Sequence, residues 1–189
     1  GTGKTRAITH RIAYAAAIGT MDPQKVLALT FTAKAAGEMR ARLRTLGVPT
    51  VAARTIHSAA LKQLLYFWPS VFGGRTPDLM TTKTGFLTEA INRAGLSSSL
   101  RATNRELMRD IASEIEWAKV SQVTPVDYVD QVGRRSQKPR VLPEQMVQIY
   151  TAYESIKKQE LAIDFEDVLL LCAAMLEEER EVRERVQDQ

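Results

Sequence analysis

Gly1-Thr2-Gly3-Lys4-Thr5 places a lysine and a hydroxyl directly after closely spaced glycines. That spacing suits the holding of a triphosphate. Glycines let successive backbone N–H groups turn inward as an anion nest. A helix that follows adds the positive end of its dipole. Lys4 is placed to reach the β- and γ-phosphates, and the Thr5 hydroxyl to bind Mg2+. The five residues form the last part of a Walker A pattern, whose first glycine would lie before Gly1. The sequence is therefore expected to be a fragment. The plain alternative is a Gly-rich turn before an ordinary helix.

The elements that must position these groups follow from the apolar spacing. Thr5 to Ala17 reads as a helix with Ile8 and Ile12 on one face, ended by Gly19. Val26 to Phe31 is a short apolar run without alternation, the pattern of a parallel strand buried on both faces. Ala33 to Leu46 returns to helical spacing and stops at Gly47 and Pro49. Thr50 to Thr55 reads as a second strand and His57 to Tyr66 as a helix. A phosphate loop followed by this alternation describes a doubly wound α/β domain.

From Trp68 to about Ile163 the pattern is helical and no strand is expected. Phe86, Leu87, Ala90 and Ile91 form a stripe ended by Gly95, and Thr103 to Glu106 reads as a capping box. Thr124-Pro125 and Pro143 each read as a helix start. Asp164 and Asp167 frame another, which runs into Val168 to Met175. The basic stretch Gly133 to Leu142 reads as a loop. The domain plan is an α/β part, residues 1–59 and 162–189, interrupted by an all-helical insertion, residues 60–161.

Composition limits the alternatives. Of 189 residues, 44% are apolar and 25% charged, as in a soluble globular protein. The longest apolar run, Val168 to Leu176, is too short to span a bilayer, so no membrane role is expected. Cys172 is the single cysteine, which excludes a disulfide framework or zinc cluster and fits a reducing cytoplasm. Net charge is +4, with six acids against three bases from Glu177 on, which leaves the rest of the chain at +7. A modest basic excess agrees with nucleic-acid binding without requiring it.

Four stretches, in order and at matching spacing, resemble the first ATPase domain of superfamily 1A DNA helicases, the UvrD/PcrA/Rep family. Gly1-Thr2-Gly3-Lys4-Thr5-Arg6 looks like helicase motif I. Leu29 to Met39, containing Thr30-Phe31-Thr32-Ala33-Lys34-Ala35-Ala36, looks like motif Ia. Thr55-Ile56-His57-Ser58 looks like the Thr-Phe-His-Ser/Gly motif, and Asp164 to Leu169 like the segment before Walker B. Ala33 stands where the family usually has Asn, and Ile56 where it has Phe. Ala33 is similar to the form in the actinobacterial second UvrD paralogue.

The resemblance implies a partial RecA-like P-loop NTPase domain, subdomain 1A, with the helical insertion as subdomain 1B. It implies ATP and Mg2+ as cofactors and 3′→5′ movement on single-stranded DNA in repair or replication. Single-stranded DNA, single/double-strand junctions and a second RecA-like domain in the same polypeptide would be the partners. Gly1 to Arg6 would hold the nucleotide, with Lys4 catalytic, Thr5 on the metal and Arg6 against the adenine. Thr30, Phe31, Thr32, Lys34, Thr55, His57 and Ser58 would line the DNA path, with Phe31 stacking on a base. The water-positioning acid and arginine fingers would lie past Gln189, so the fragment alone is expected to be inactive. The residues also admit plainer roles: Phe31 in the core, Thr32 and the Thr55 group as helix caps, Arg6 as surface. Trp117 reads as core, and Arg134, Arg135, Lys138 and Arg140 as duplex contacts or a solvated loop. A helicase-nuclease subunit of the AddA/RecB type and a non-catalytic nucleic-acid-binding module are the other functional classes.

Overall fold

The computed structural model describes residues 3–96, 105–136 and 139–188. Gly1, Thr2, Thr103 and Lys138 lie outside the described residues. The chain divides into two compact units, one of residues up to Gly74 and from Leu169 on, the other Arg75–Val168.

In the first unit, α1 spans Lys4–Ala17, β1 Leu27–Thr30, α2 Ala33–Thr45, β2 Ala52–Thr55 and α3 Ile56–Val71. The two strands are parallel, with Leu27 opposite Ala52 and Thr30 opposite Thr55. Ala28 and Ala53 are paired and both buried, so small side chains let helices approach that face closely. Ile12, Met39, Leu43, Val48 and Val51 complete this core. The expectation of burial on both faces is corrected. Leu27 and Leu29 alternate away from Ala28 and remain 47% and 49% exposed. Ile8 is likewise half-exposed, and Ile12 takes the buried position on α1. Helix α3 runs further than its spacing suggested, carrying Pro69 in its last turn.

In the second unit, β3 is Asp78–Leu79, α4 Thr84–Arg93, α5 Arg105–Val120, α6 Tyr128–Gly133, α7 Pro143–Gln159 and β4 Ala162–Ile163. Helix α8, Phe165–Glu178, crosses the division at 168/169, and α9, Arg180–Gln187, belongs to the first unit. The stripes read from sequence form the core of the second unit. Leu87, Ile91, Ile111, Ile115, Tyr128, Met146, Ile149 and Tyr153 are fully buried together. Trp117 packs against that cluster, as expected of a core residue. Gly95 follows α4 at φ 69°, a left-handed position that ends a helix at little cost. The expectation of an all-helical insertion is corrected, since β3 and β4 pair in parallel, Asp78 with Ala162 and Leu79 with Ile163. Two residues are too few to show a period. The start at Thr124-Pro125 is also shifted. These residues form a turn, with the Thr124 hydroxyl bonded to Asp127 at 2.6 Å, and α6 begins at Tyr128. Among the described residues no helix is long and apolar enough to cross a membrane.

Candidate nucleotide and nucleic-acid site

Gly3 sits at φ 70° immediately before α1, a conformation that favours glycine. Its carbonyl accepts the Ala7 N–H at 3.0 Å and so begins the helical ladder. No side chain caps this helix start, and no acid lies in its first turn. The first N–H groups of a helix have no partner within it, so the start of α1 offers donors and a positive dipole end. Lys4 and Arg6 are exposed there, and Thr5 is half-buried. The Thr9 hydroxyl turns back to the carbonyls of Thr5 and Arg6, at 3.0 and 2.9 Å, which ties down the first turn. Beside it, Arg6, Thr9 and His10 of α1 face Ala41, Arg42 and Thr45 of α2 across an open groove of about 270 Å3.

A second group forms at the C-terminal ends of the strands. The register places Thr30 beside Thr55. It therefore brings Thr30, Phe31, Thr32 and Lys34 together with Thr55, His57 and Ser58. Phe31 is 90% exposed, so the core reading of this residue fails. Lys34 and Ser58 are also exposed, and His57 is half-buried. The threonines are engaged within the protein. Thr32 caps α2, its hydroxyl oxygen accepting from Ala35 N–H at 3.1 Å. Thr55 caps α3 in the same way, accepting from Ser58 N–H at 3.1 Å. Such caps fix where each helix begins. Thr30 donates to the Thr32 carbonyl at 3.1 Å. Lys4, Thr5 and Arg6 belong to a different element, at the start of α1.

Charge at the helix starts is uneven. The first turns of α1, α2 and α3 carry no acid. Those of α5, α6, α7, α8 and α9 each carry at least one. An acid there would offset the positive dipole end. The first turn of α4, which bears no motif, is also free of acid, so an acid-free start agrees with an anionic ligand at α1, α2 and α3 without singling them out.

The second unit holds a charged cluster that the sequence reading did not single out. Lys119 is 4% exposed, and its ammonium lies 2.8 Å from Asp164, 3.2 Å from Glu154 and in contact with Asp167. Lys157 bonds Asp164 at 2.9 Å, Asp167 at 2.5 Å and Glu154 at 3.0 Å. The Tyr153 hydroxyl donates to Asp164 at 3.0 Å. Asp164 and Asp167 also cap α8 reciprocally, each accepting the other's backbone N–H at 3.0 Å. Burial disfavours charge on Asp164, yet Lys119 and Lys157 outweigh it and hold the carboxyl well below its usual range. Burial likewise opposes the Lys119 ammonium, and Asp164, Glu154 and Asp167 outweigh it and raise its pKa. The three carboxylates gather closely enough for a cation, and the two ammonium groups fill that place. The sequence signal was present: Lys119 continues the Ile111–Ile115 spacing, and Lys157 follows Tyr153 by four. A lysine on a core-facing stripe needs a buried acid.

The basic loop is similarly engaged. Arg135 stacks on Trp117 at 3.7 Å and pairs with Glu114 at 2.5 Å. Arg140 pairs with Glu106 and Asp110, at 2.9 and 3.1 Å.

Comparison with known proteins agrees with the motif resemblance. The whole chain, residues 1–189, matches the profile of the UvrD/REP helicase N-terminal domain. It is 41% identical to a protein named ATP-dependent DNA helicase UvrD2 in Mycobacterium tuberculosis (strain ATCC 25618 / H37Rv), over all of this chain and 28% of that protein. The Mycobacterium bovis protein of the same name matches equally. A Leuconostoc citreum protein named ATP-dependent DNA helicase PcrA is 30% identical, over all of this chain and 25% of its own length. The chain thus spans about a quarter of the length of these relatives. The expected resemblance to the UvrD/PcrA/Rep family is borne out, and the chain belongs to the family of UvrD/REP helicase N-terminal domains.

Proposed function

We propose that the protein carrying this chain is an ATP-dependent DNA helicase or translocase, moving 3′→5′ on single-stranded DNA in repair or replication. The observation that carries this reading is the parallel register of β1 and β2. It sets Thr30 to Lys34 beside Thr55 to Ser58 and leaves Phe31 exposed at the shared edge. A hydrophobic ring out in water, flanked by Lys34 and two acid-free helix starts, suits a strand with stacking bases and a charged backbone. The names of the relatives support the activity. The other functional classes have no specific observation in their favour.

The start of α1 fits a triphosphate with Mg2+: a left-handed Gly3, an uncapped and acid-free first turn, and exposed Lys4. Lys4 would hold the β- and γ-phosphates, the Thr5 hydroxyl the Mg2+, and Arg6 the base side, with Gly1 and Thr2 completing the loop. ATP, when bound, supplies the free energy of hydrolysis. Lys4 balances charge on the phosphoryl oxygens. Phe31 grips a base, and Lys34, His57 and Ser58 steady the backbone. The first unit, residues up to Gly74 and from Leu169 on, would be a RecA-like subdomain 1A, and Arg75–Val168 subdomain 1B, in place of the expected bounds 1–59 with 162–189 and 60–161. A second RecA-like domain of the same polypeptide would close on this one. Single/double-strand junctions and a cytoplasmic setting belong to the same reading.

The deciding test is Phe31→Ala in the intact protein. Binding of an oligothymidylate is expected to weaken by about tenfold, from loss of roughly 1–3 kcal/mol of stacking. Binding of a fluorescent ATP analogue should stay at the wild-type level. Unchanged oligothymidylate binding would remove the basis for the assignment.

A further inference from the structure

Thr30 is the last residue of β1, and sequence reasoning placed it among the groups touching DNA. Its hydroxyl has one proton to donate. That proton faces the Thr32 carbonyl at 3.1 Å and the Arg54 carbonyl at 3.5 Å. The first bond reaches over Phe31, from the residue before it to the residue after it. The second crosses to β2, one residue before Thr55. A neighbouring bond stiffens the same frame, since Arg40 of α2 donates through Nη1 to the Ala53 carbonyl at 3.1 Å. Two consecutive carbonyls of β2 are therefore held by side chains from β1 and α2. On the other side of Phe31, Thr32 is fixed as the cap of α2. Phe31 thus projects from a backbone segment pinned at both ends, with its ring 90% exposed. A hydroxyl whose only proton points at carbonyls has none for a phosphate oxygen.

We propose that Thr30 is a positioning residue, which aims Phe31 at the bound strand through its hydroxyl and does not touch the strand. The proposal rests on reading this sheet edge as the single-strand path. It assigns the aim of the ring to a side chain behind it, and predicts that the hydroxyl and not the methyl matters.

The test compares Thr30→Val, which keeps shape without the hydroxyl, with Thr30→Ser, which keeps the hydroxyl. Both are made in the intact protein, beside Phe31→Ala. Affinity for oligothymidylate is measured across a salt series. Fluorescence of a 2-aminopurine in the oligonucleotide reports stacking, and a fluorescent ATP analogue reports the nucleotide site. Thr30→Val should weaken DNA binding about tenfold, or about 1.4 kcal/mol, and lose the stacking signal. Its salt slope and nucleotide affinity should match wild type. Thr30→Ser should match wild type throughout, and this arm stands even if Thr30→Val fails to fold. Weakened binding by Thr30→Val with the full stacking signal kept in the bound strand would reveal a direct contact of the hydroxyl with the strand and overturn the proposal. So would a defect in Thr30→Ser equal to that of Thr30→Val, or wild-type binding by Thr30→Val while Phe31→Ala is impaired. Wild-type DNA binding by Phe31→Ala would instead overturn the single-strand reading beneath it.

Discussion

At the residue scale, the chain shows how exposure separates two readings that sequence leaves equal. Phe31 ends an apolar run, and nothing in that run says whether its ring is core or platform. The strand stops at Thr30, and Phe31 stands in water. Thr32 and Thr55 were ambiguous in the same way, and their hydroxyls are caps. Capping was legible because Thr followed by a helical stripe is a local signal. The Thr30 and Arg40 bonds were not, because they depend on which carbonyls a second strand presents. Lys4 carries the sharpest prediction at this scale. Lys4→Ala in the intact protein should lower ATP turnover by about 100-fold or more, the usual cost of losing a donor aimed at developing charge. Steady-state phosphate release measures this, and near-wild-type turnover would contradict the phosphate-loop assignment.

At the element scale, the longer helices were legible because each carries a stripe of period 3.6 and a start or stop signal. Pro143 opens α7 and Gly95 follows α4, where the sequence placed them. The pair β3 and β4 was illegible, since four residues hold no alternation to read. The start of α8 was legible as a cap, yet its energetic weight was not. Asp164 is 1% exposed and holds both buried lysines as well as the Tyr153 hydroxyl. Removing one partner of such a pair leaves a buried charge uncompensated, at about 3–5 kcal/mol. Asp164→Asn should therefore destabilise the second unit by about that much in urea unfolding at pH 7. The sign of the pH dependence follows. Asp164 has a folded pKa below its ordinary 3.8, so its contribution is present above that pH and is lost as pH falls through the folded value. Lys119 has a folded pKa above its ordinary 10.5, so its contribution is present below that pH and is lost as pH rises through the folded value. Wild-type stability should hold from about pH 4 to 10 and fall on the acid side. Asp164→Asn should flatten that acid fall, and a parallel fall in both proteins would assign it to other carboxylates.

At the scale of the whole molecule, the described residues form two hydrophobic clusters, one in each unit. One is built on Ile12, Ala28, Met39, Leu43 and Ala53, the other on Leu87, Ile111, Ile115, Met146 and Tyr153. The chemistry divides along the same line. The motif-bearing helix starts belong to the first unit, while the buried lysines and aromatic hydroxyls stabilise the second. The sequence pattern changes after Trp68 and suggests an insertion over 60–161, whereas the units divide at 74/75 and 168/169. Those positions were not readable, because α3 continues past its apolar stripe and α8 crosses the boundary within one helix. A cavity made in one core should be felt mainly in that unit. Ile115 is fully buried in the second, and Ile115→Ala should cost about 2–5 kcal/mol. Hydrogen exchange then gives a spatial readout, because amides in separate cooperative units open with separate free energies. Amides of α4, α5 and α7 should exchange faster in the variant, while those of β1, α2 and β2 keep their wild-type rates. Equal acceleration in both sets would mean that the chain opens as one cooperative body, with the β1–β2 edge no more stable than the helical unit.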